Sequence, residues 1–266
     1  MKTVLIFGSG WLAHRLIRPL VSSNRRIIIA TRDLKGKKNE LYLEFFQIGY
    51  DENGSVQFDI EIPYVIDEIM VMLPPSAMGD YANTIASICK QFPTVLHFLF
   101  TSSTGVYLDN EGWVNEHSAL KIDHPIVMAE NLIKAAYPKN HTILRLSGLI
   151  GRDRHPVIYF LRKSLNPNGN APVNLIHRMD IVRAIILVIA QAQKFGVYNL
   201  CYPNNPLKRK YYNEISEKIF QKRIEFEKNG KGKKIDGSKF ASDFQFEYEN
   251  DIYDISLLDK VIVNNN

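Results

Sequence analysis

Thr3-Val4-Leu5-Ile6-Phe7-Gly8-Ser9-Gly10-Trp11-Leu12-Ala13 is the stretch that decides the fold. A short run rich in β-branched and aromatic side chains reads as a buried strand over residues 3–7. Leu12, Leu16, Ile17 and Leu20 then recur at helical spacing, so residues 11–22 read as the following helix. Between the two, Gly8, Gly10 and Ala13 stand at the spacing of the GxGxxG/A dinucleotide fingerprint, in the strand-to-helix context that gives it meaning. Gly8 permits the tight turn, Gly10 lets a pyrophosphate approach the backbone, and the small Ala13 lets helix and strand pack closely. Backbone N–H groups at the helix start then hold the phosphates. Gly8, Ser9, Gly10, Trp11 and Leu12 are the candidate cofactor-binding residues here; a glycine turn that holds no ligand is the alternative.

Outward from this unit, residues 26–30 read as a second strand ending in Ala30-Thr31-Arg32-Asp33. An acidic residue at such a strand end binds the ribose 2′-hydroxyl of NAD, whereas an arginine accommodates the 2′-phosphate of NADP. Arg32 stands one place ahead of Asp33, so the expectation is NADP, with NAD as the alternative and Thr31 and Arg32 as contacts. Further strands are expected at 45–48, at 69–73 before Pro74-Pro75, at 95–100 and at 141–146. Helices are expected at 81–90 and 125–136, and a turn at 51–54. Strands alternating with helices imply an α/β fold, a doubly wound parallel Rossmann sheet. Beyond Gly151 the pattern loosens into helices at 156–164, 179–193 and 211–220, a loop at 165–172 and a closing segment, 244–266, of short elements and a polar tail. The expected division is a dinucleotide-binding domain, residues 1–151 plus 173–200, and a smaller C-terminal substrate lobe, residues 152–172 plus 201–266.

Composition excludes several classes. With 45% hydrophobic and 23% charged residues in 266, the chain has the make-up of a folded globular protein rather than a disordered one. Its two cysteines, Cys89 and Cys201, lie far apart with no CxxC or CxxH neighbour, which supports neither a disulfide framework nor a cysteine zinc site. A cytoplasmic protein without a metal is expected. No apolar run approaches the roughly 20 residues of a membrane span. The net charge is +5, and Lys/Arg gather late in the chain, from Lys208, Arg209 and Lys210 through Lys218, Lys222, Arg223 and Lys228 to Lys234. Such runs are usually solvated surface; an anionic small ligand such as a nucleotide phosphate is the better functional reading, because no nucleic-acid motif accompanies them.

Several segments in order resemble the atypical extended short-chain dehydrogenase/reductase superfamily, in its NAD(P)-dependent epimerase/dehydratase branch. Thr101-Ser102-Ser103-Thr104-Gly105-Val106-Tyr107 is similar to the family's SS(T/S)xxVYG motif. Leu144-Arg145-Leu146-Ser147-Gly148-Leu149-Ile150-Gly151 resembles its LRxxxxYGP stretch. Ile176-His177-Arg178-Met179-Asp180 resembles its IHVDD element, and Gly196-Val197-Tyr198-Asn199 its GVYN strand. The resemblance implies that Ser103, with Thr104 beside it, hydrogen-bonds a substrate hydroxyl or carbonyl, and that Leu73, Pro74 and Pro75 lie beside the cofactor. It further implies an NADP-dependent oxidoreductase or epimerase/dehydratase-like enzyme whose small-molecule substrate is a hydroxyl or carbonyl compound such as a nucleotide sugar. Neither a nucleic-acid nor a membrane partner is expected, and the oligomeric state is open.

One departure matters. The family's general acid/base is a Tyr-xxx-Lys pair on the helix after the fifth strand. If Glu130 matches the acidic residue that follows that pair, its two positions fall on Ile122 and Ile126, neither of which transfers a proton. Tyr159 and Lys163 form the chain's YxxxK, but after the sixth strand, where the family carries substrate-lobe sequence. His124 and Lys121 lie near the vacant position, Tyr107 belongs to the VY motif, and the spacing of His177 and Asp180 suits a helix cap better than catalysis. A second reading follows: a non-catalytic NADP(H)-binding redox sensor or regulatory protein.

Overall fold

The computed structural model describes residues 1–59, 61–77, 80–109, 111–191, 193–256 and 258. Its elements run β1 (Lys2–Phe7), α1 (Ala13–Ser22), β2 (Arg25–Thr31), β3 (Leu43–Tyr50), β4 (Val56–Phe58), β5 (Glu68–Val71) and α2 (Tyr81–Gln91). Next come β6 (His97–Ser103), β7 (Gly112–Val114), α3 (Pro125–Ala136), β8 (His141–Leu146), β9 (Gly148–Ile150) and α4 (Val157–Leu161). The remainder are β10 (Leu175–His177), α5 (Arg178–Ala190), β11 (Gly196–Leu200), α6 (Lys208–Phe220), β12 (Lys233–Ile235) and α7 (Ser238–Phe244).

Eight strands form one sheet in the order β11-β8-β6-β5-β1-β2-β3-β4. β1 pairs in parallel with β2 on one side and β5 on the other, β2 with β3 and β5 with β6 in the same sense. The α/β class expected from the sequence is the one observed. In β1, β2 and β5 nearly every side chain is buried, the signature of parallel strands covered on both faces. From β1 the chain steps outward through β2 to β3, then returns to the other side of β1 with β5. The strand order reverses between β1 and β5, and the crevice beyond their carboxyl ends is where open α/β sheets hold ligands.

Some boundaries depart from expectation. The expected strand at 95–100 runs instead over His97–Ser103. Its polar end stays in the sheet because each hydroxyl finds a partner: Thr101 Oγ1 donates to the Val71 carbonyl (3.2 Å) and Ser102 Oγ to Glu130 Oε1 (2.6 Å). β4 was not read from the sequence; it pairs antiparallel with β3 through the 51–54 turn, where Asp51 Oδ1 accepts from the Asn53 and Ser55 amides. The strand expected at 69–73 stops at Val71, leaving Met72, Leu73 and Pro74 as a loop. Most of the expected polar tail, residues 257 and 259–266, lies outside the described residues.

Two compact units emerge. The first comprises 1–106, 120–145 and 185–197; the second 107–119, 146–184 and 198–266. These boundaries differ from the expected ones, because the 107–119, 146–151, 173–184 and 198–200 segments contribute to the second unit. β7 pairs in parallel with β12, and β10, paired with β9, is tied to the late chain by the Val173 amide on the Pro206 carbonyl (2.8 Å) and the Tyr202 amide on the Leu175 carbonyl (2.8 Å). The second unit has its own core, in which Val157, Val173, Leu175, Tyr211, Ile215 and Phe226 are buried together. No helix among the described residues is long and apolar enough to cross a membrane.

Candidate functional site

The carboxyl ends of β1, β2 and β5 open into a cleft of about 300 Å3 within the first unit. Gly8, Ser9, Gly10, Thr31, Arg32, Leu73 and Pro74 line it. Seven of the ten residues singled out for a cofactor are thus brought together from three loops far apart in sequence. Trp11, Leu12 and Pro75 are not on the lining: Leu12 is buried at the start of α1, and Pro75 opens a short 3-10 turn.

Local geometry explains the loop after β1. Gly8 has φ +108°, a conformation that side-chain-bearing residues rarely adopt, and a Cβ there would crowd the Met72 carbonyl oxygen at 3.1 Å. Its amide donates to the Ala30 carbonyl (3.0 Å), tying the loop to β2. At Gly10 a Cβ would meet nothing within 4 Å. The fold itself therefore does not require glycine at that position. α1 begins with no side-chain cap and no acid in its first turn, the arrangement suited to an anion at a helix N-terminus.

The hydroxyls of Ser9 and Thr31 lie 2.9 Å apart and lock the first loop to the end of β2. Arg32 and Asp33, both exposed, line the cleft side by side, and Asp33 Oδ1 also accepts from the Lys35 amide at 2.7 Å. Tyr81 donates to the Leu73 carbonyl at 2.8 Å and fixes the third wall. Ala30, Ile48, Tyr50 and Met72 also line the cleft and were not singled out from the sequence. Tyr50 closes β3, two residues beyond the strand end read from periodicity, and its hydroxyl is buried with no hydrogen-bond partner. Burial raises its phenol above the usual range, and the charge of Arg32 acts in the opposite direction.

The catalytic candidates are less well placed. Ser103 ends β6 with Oγ accepting from the Gly105 amide (3.0 Å), and Thr104 begins the turn that follows; neither lines the cleft. Ile122 is 75% exposed and Ile126 is buried in the first turn of α3. His124 caps that helix, its Nδ1 accepting from the Ile126 amide. Tyr107 is buried and donates to Asn199 Oδ1 at 2.6 Å. Tyr159 is exposed, with Lys163 Nζ 4.4 Å from its ring centroid. His177 Nδ1 accepts from the Met179 amide, and the buried Asp180 takes the Glu249 and Asn250 amides and ion-pairs Arg183, an anchor for the C-terminal segment. Among the described residues no three His, Cys, Asp or Glu side chains converge to hold a metal.

Glu130 has a structural task. Fully buried, it ion-pairs Arg145 through Oε2 at 2.6 Å and accepts from Ser102, joining α3, β8 and β6. Burial alone raises its pKa, but the Arg145 guanidinium and the Ser102 hydroxyl hold it below the usual carboxylate range.

No family model matches this chain. Protein YeeZ of Escherichia coli K12 is 28% identical over 277 residues, covering 94% of this chain and 96% of YeeZ. Among solved structures, a conserved protein of unknown function from Silicibacter pomeroyi superposes over the whole chain and 99% of its own with TM-score 0.72 and 18% identity. The dTDP-glucose 4,6-dehydratase of Bacillus anthracis in complex with NAD gives TM-score 0.75 at 16% identity, covering 100% of this chain and 97% of its own. The UDP-glucuronic acid 4-epimerase of Bacillus cereus in complex with UDP-glucuronic acid and NAD gives 0.75 at 14%, covering 99% of each. At these identities the likeness is one of fold: the chain has the Rossmann-like architecture of NAD-dependent sugar epimerases and dehydratases.

Proposed function

We propose that the chain binds a nicotinamide dinucleotide in this cleft and acts as an epimerase/dehydratase-like oxidoreductase on a hydroxyl or carbonyl group of a small molecule, foremost a nucleotide-linked sugar. The observation that carries the proposal is the convergence of Gly8, Ser9, Gly10, Thr31, Arg32, Leu73 and Pro74 on one cleft at the reversal of strand order. The residues present suit such a group: the open space at Gly10, the uncapped start of α1 and the unpartnered hydroxyl of Tyr50 all face or border it. Gly8 and Gly10 would hold the pyrophosphate and Thr31 and Arg32 the adenosine ribose. NADP is the preferred form because Arg32 stands one place ahead of Asp33 at the strand end; both line the cleft, and NAD is the alternative. Two of the solved neighbours named above, the dTDP-glucose 4,6-dehydratase and the UDP-glucuronic acid 4-epimerase, are in complex with NAD. When bound, the dinucleotide supplies the hydride donor or acceptor. Ser103 would orient the reacting oxygen. The two buried, unpaired cysteines favour a reducing, cytoplasmic setting.

Ile122 and Ile126 favour a second reading, a redox sensor that binds NADP(H) without turnover. A missing positioned acid typically costs about 10²–10⁴-fold in rate, so an enzyme of this sequence would be slow or would use another donor. Titration with NADPH and NADH, followed by nicotinamide fluorescence, tests the binding. Micromolar NADPH with weaker NADH is the expected result; no binding of either removes both readings together. Arg32→Ala is expected to weaken NADPH and leave NADH nearly unchanged, and equal loss for both would remove the 2′-phosphate assignment. Ser103→Ala should abolish turnover of any substrate found while keeping cofactor affinity; a fully active variant takes Ser103 out of the site.

A further inference from the structure

Tyr50 brings to the cleft a polar atom that the protein does not use. The residue lines the cleft, yet its hydroxyl is buried with no hydrogen-bond partner. Such a hydroxyl loses its hydration and gains nothing in return, against the general rule that buried polar groups are paired. Neighbouring hydroxyls are served: Ser9 and Thr31 bond each other at 2.9 Å, and Tyr81 donates to the Leu73 carbonyl at 2.8 Å. Tyr50 therefore calls for a partner that comes from outside the chain.

The β3–β4 hairpin fixes its position. Phe46, Ile48 and Tyr50 fall on one face of β3 at the period of two; Phe46 and Ile48 are buried, and Ile48 lines the cleft with Tyr50. Tyr50 is paired with Val56 across the antiparallel ladder. The next residue, Asp51, closes the turn, its amide donating to the Ser55 carbonyl (3.0 Å) and its Oδ1 accepting from the Ser55 amide (2.8 Å). The hairpin is tied in turn to α2, where Ser87 Oγ accepts from the Val56 amide (3.1 Å) and Gln91 Nε2 donates to the Val56 carbonyl (2.7 Å). Tyr50 thus stands on a braced strand end rather than on a loop.

Arg32, just past the end of the neighbouring β2, lines the same cleft, and its charge bears on the Tyr50 phenol. Burial raises that phenol and keeps its proton in place, so Tyr50 is a donor, and a guanidinium only donates. A group that serves both must be an acceptor with more than one oxygen. A phosphate takes a guanidinium and a hydroxyl at once, whereas a ribose hydroxyl or an adenine ring nitrogen takes one donor. Asp33, the acid on the lining, only accepts, so it suits a ribose hydroxyl. Lys35, Lys37 and Lys38 follow it and leave the segment positive.

We infer that Tyr50 is a specificity-determining residue of this cleft, its hydroxyl donating to the 2′-phosphate of NADP(H) that Arg32 also holds. The inference rests on the reading of the cleft as a dinucleotide site and narrows it to the phosphorylated cofactor. NAD(H), which lacks that phosphate, leaves the hydroxyl as unpaired as it is in the empty cleft, and a site built to hydrogen-bond a group discriminates against the analogue without it.

Calorimetric titration of the full chain and of Tyr50→Phe with NADPH, NADH, adenosine 2′,5′-bisphosphate and AMP tests the assignment. Tyr50→Phe should weaken NADPH and the bisphosphate at least about tenfold, as loss of a hydrogen bond to a charged group does, and leave NADH and AMP unchanged. The ligand-free variant should melt no lower than the parent chain, because it loses a hydroxyl that bonds nothing in the protein. A lower melting temperature together with equal weakening of NADPH and NADH marks a structural role and overturns the inference, as does NADPH affinity unchanged in the variant. A parent chain that binds NADH but not NADPH also overturns it, while the dinucleotide reading of the cleft stands. A parent chain that binds neither removes that reading, and the role of Tyr50 falls with it.

Discussion

Gly8 and Gly10 stand two positions apart and answer to different constraints. Gly8 sits at a positive φ with the Met72 carbonyl 3.1 Å from where a side chain would begin, so the fold needs it. Gly8→Ala should destabilise the chain by about 1–3 kcal/mol, as backbone strain of that kind does. Gly10 faces open space, so Gly10→Ala should leave the melting temperature nearly unchanged and reduce dinucleotide affinity at least tenfold. A Gly10→Ala protein that binds normally would show that nothing approaches that backbone. The GxG spacing announces both glycines alike. Which one serves the fold and which one the cleft depends on atoms of β5's loop, more than sixty residues away, that no local pattern contains.

At the scale of elements, α3 is held to the sheet by Glu130. A fully buried carboxylate is tolerated there because Arg145 and Ser102 satisfy it. Glu130→Gln leaves Arg145 buried without its counter-charge and should cost about 3–5 kcal/mol in urea unfolding. A loss below about 1 kcal/mol would mean that the pair is solvated. The sequence marked Glu130 only by its place relative to the missing Tyr-xxx-Lys; its role becomes visible once α3, β6 and β8 are adjacent. α3 itself was legible to the residue, because Pro125 at its first turn and an apolar run are local features. β4 was not, since a three-residue strand owes its existence to the neighbouring β3 and to a turn closed by Asp51.

At the scale of the whole molecule, acid stability should be governed by two histidines buried as neutral rings. Desolvation lowers His97 to about 4, with its Nε2 2.9 Å from Thr142 Oγ1, and lowers His155 to about 4 beside Tyr211. Their folded values lie below the unfolded value of about 6.5. The unfolded chain therefore binds more protons between pH 4 and 6.5, and stability, complete above that window, falls as pH drops through it. Each histidine contributes on the order of 1.4 kcal/mol per pH unit within the window. Urea midpoints measured at steps from pH 7 to 5 should fall steadily, and less steeply in His97→Gln. A flat profile would mean that these rings are solvated.

What the sequence determined by itself was whatever rests on neighbours along the chain: the strand-turn-helix at the start, the alternation of strands and helices, the glycine spacing and the strand end at Thr31-Arg32. Local periodicity and backbone preference operate over a few residues, and they are enough to specify an α/β sheet with a ligand cleft at its switch point. The tertiary structure alone decided what depends on partners distant in sequence. It brought Tyr50 and Met72 to the cleft and put Ile122 and His124 in surface and capping positions. Charge and burial are properties of surroundings, and the chain supplies those only when it folds.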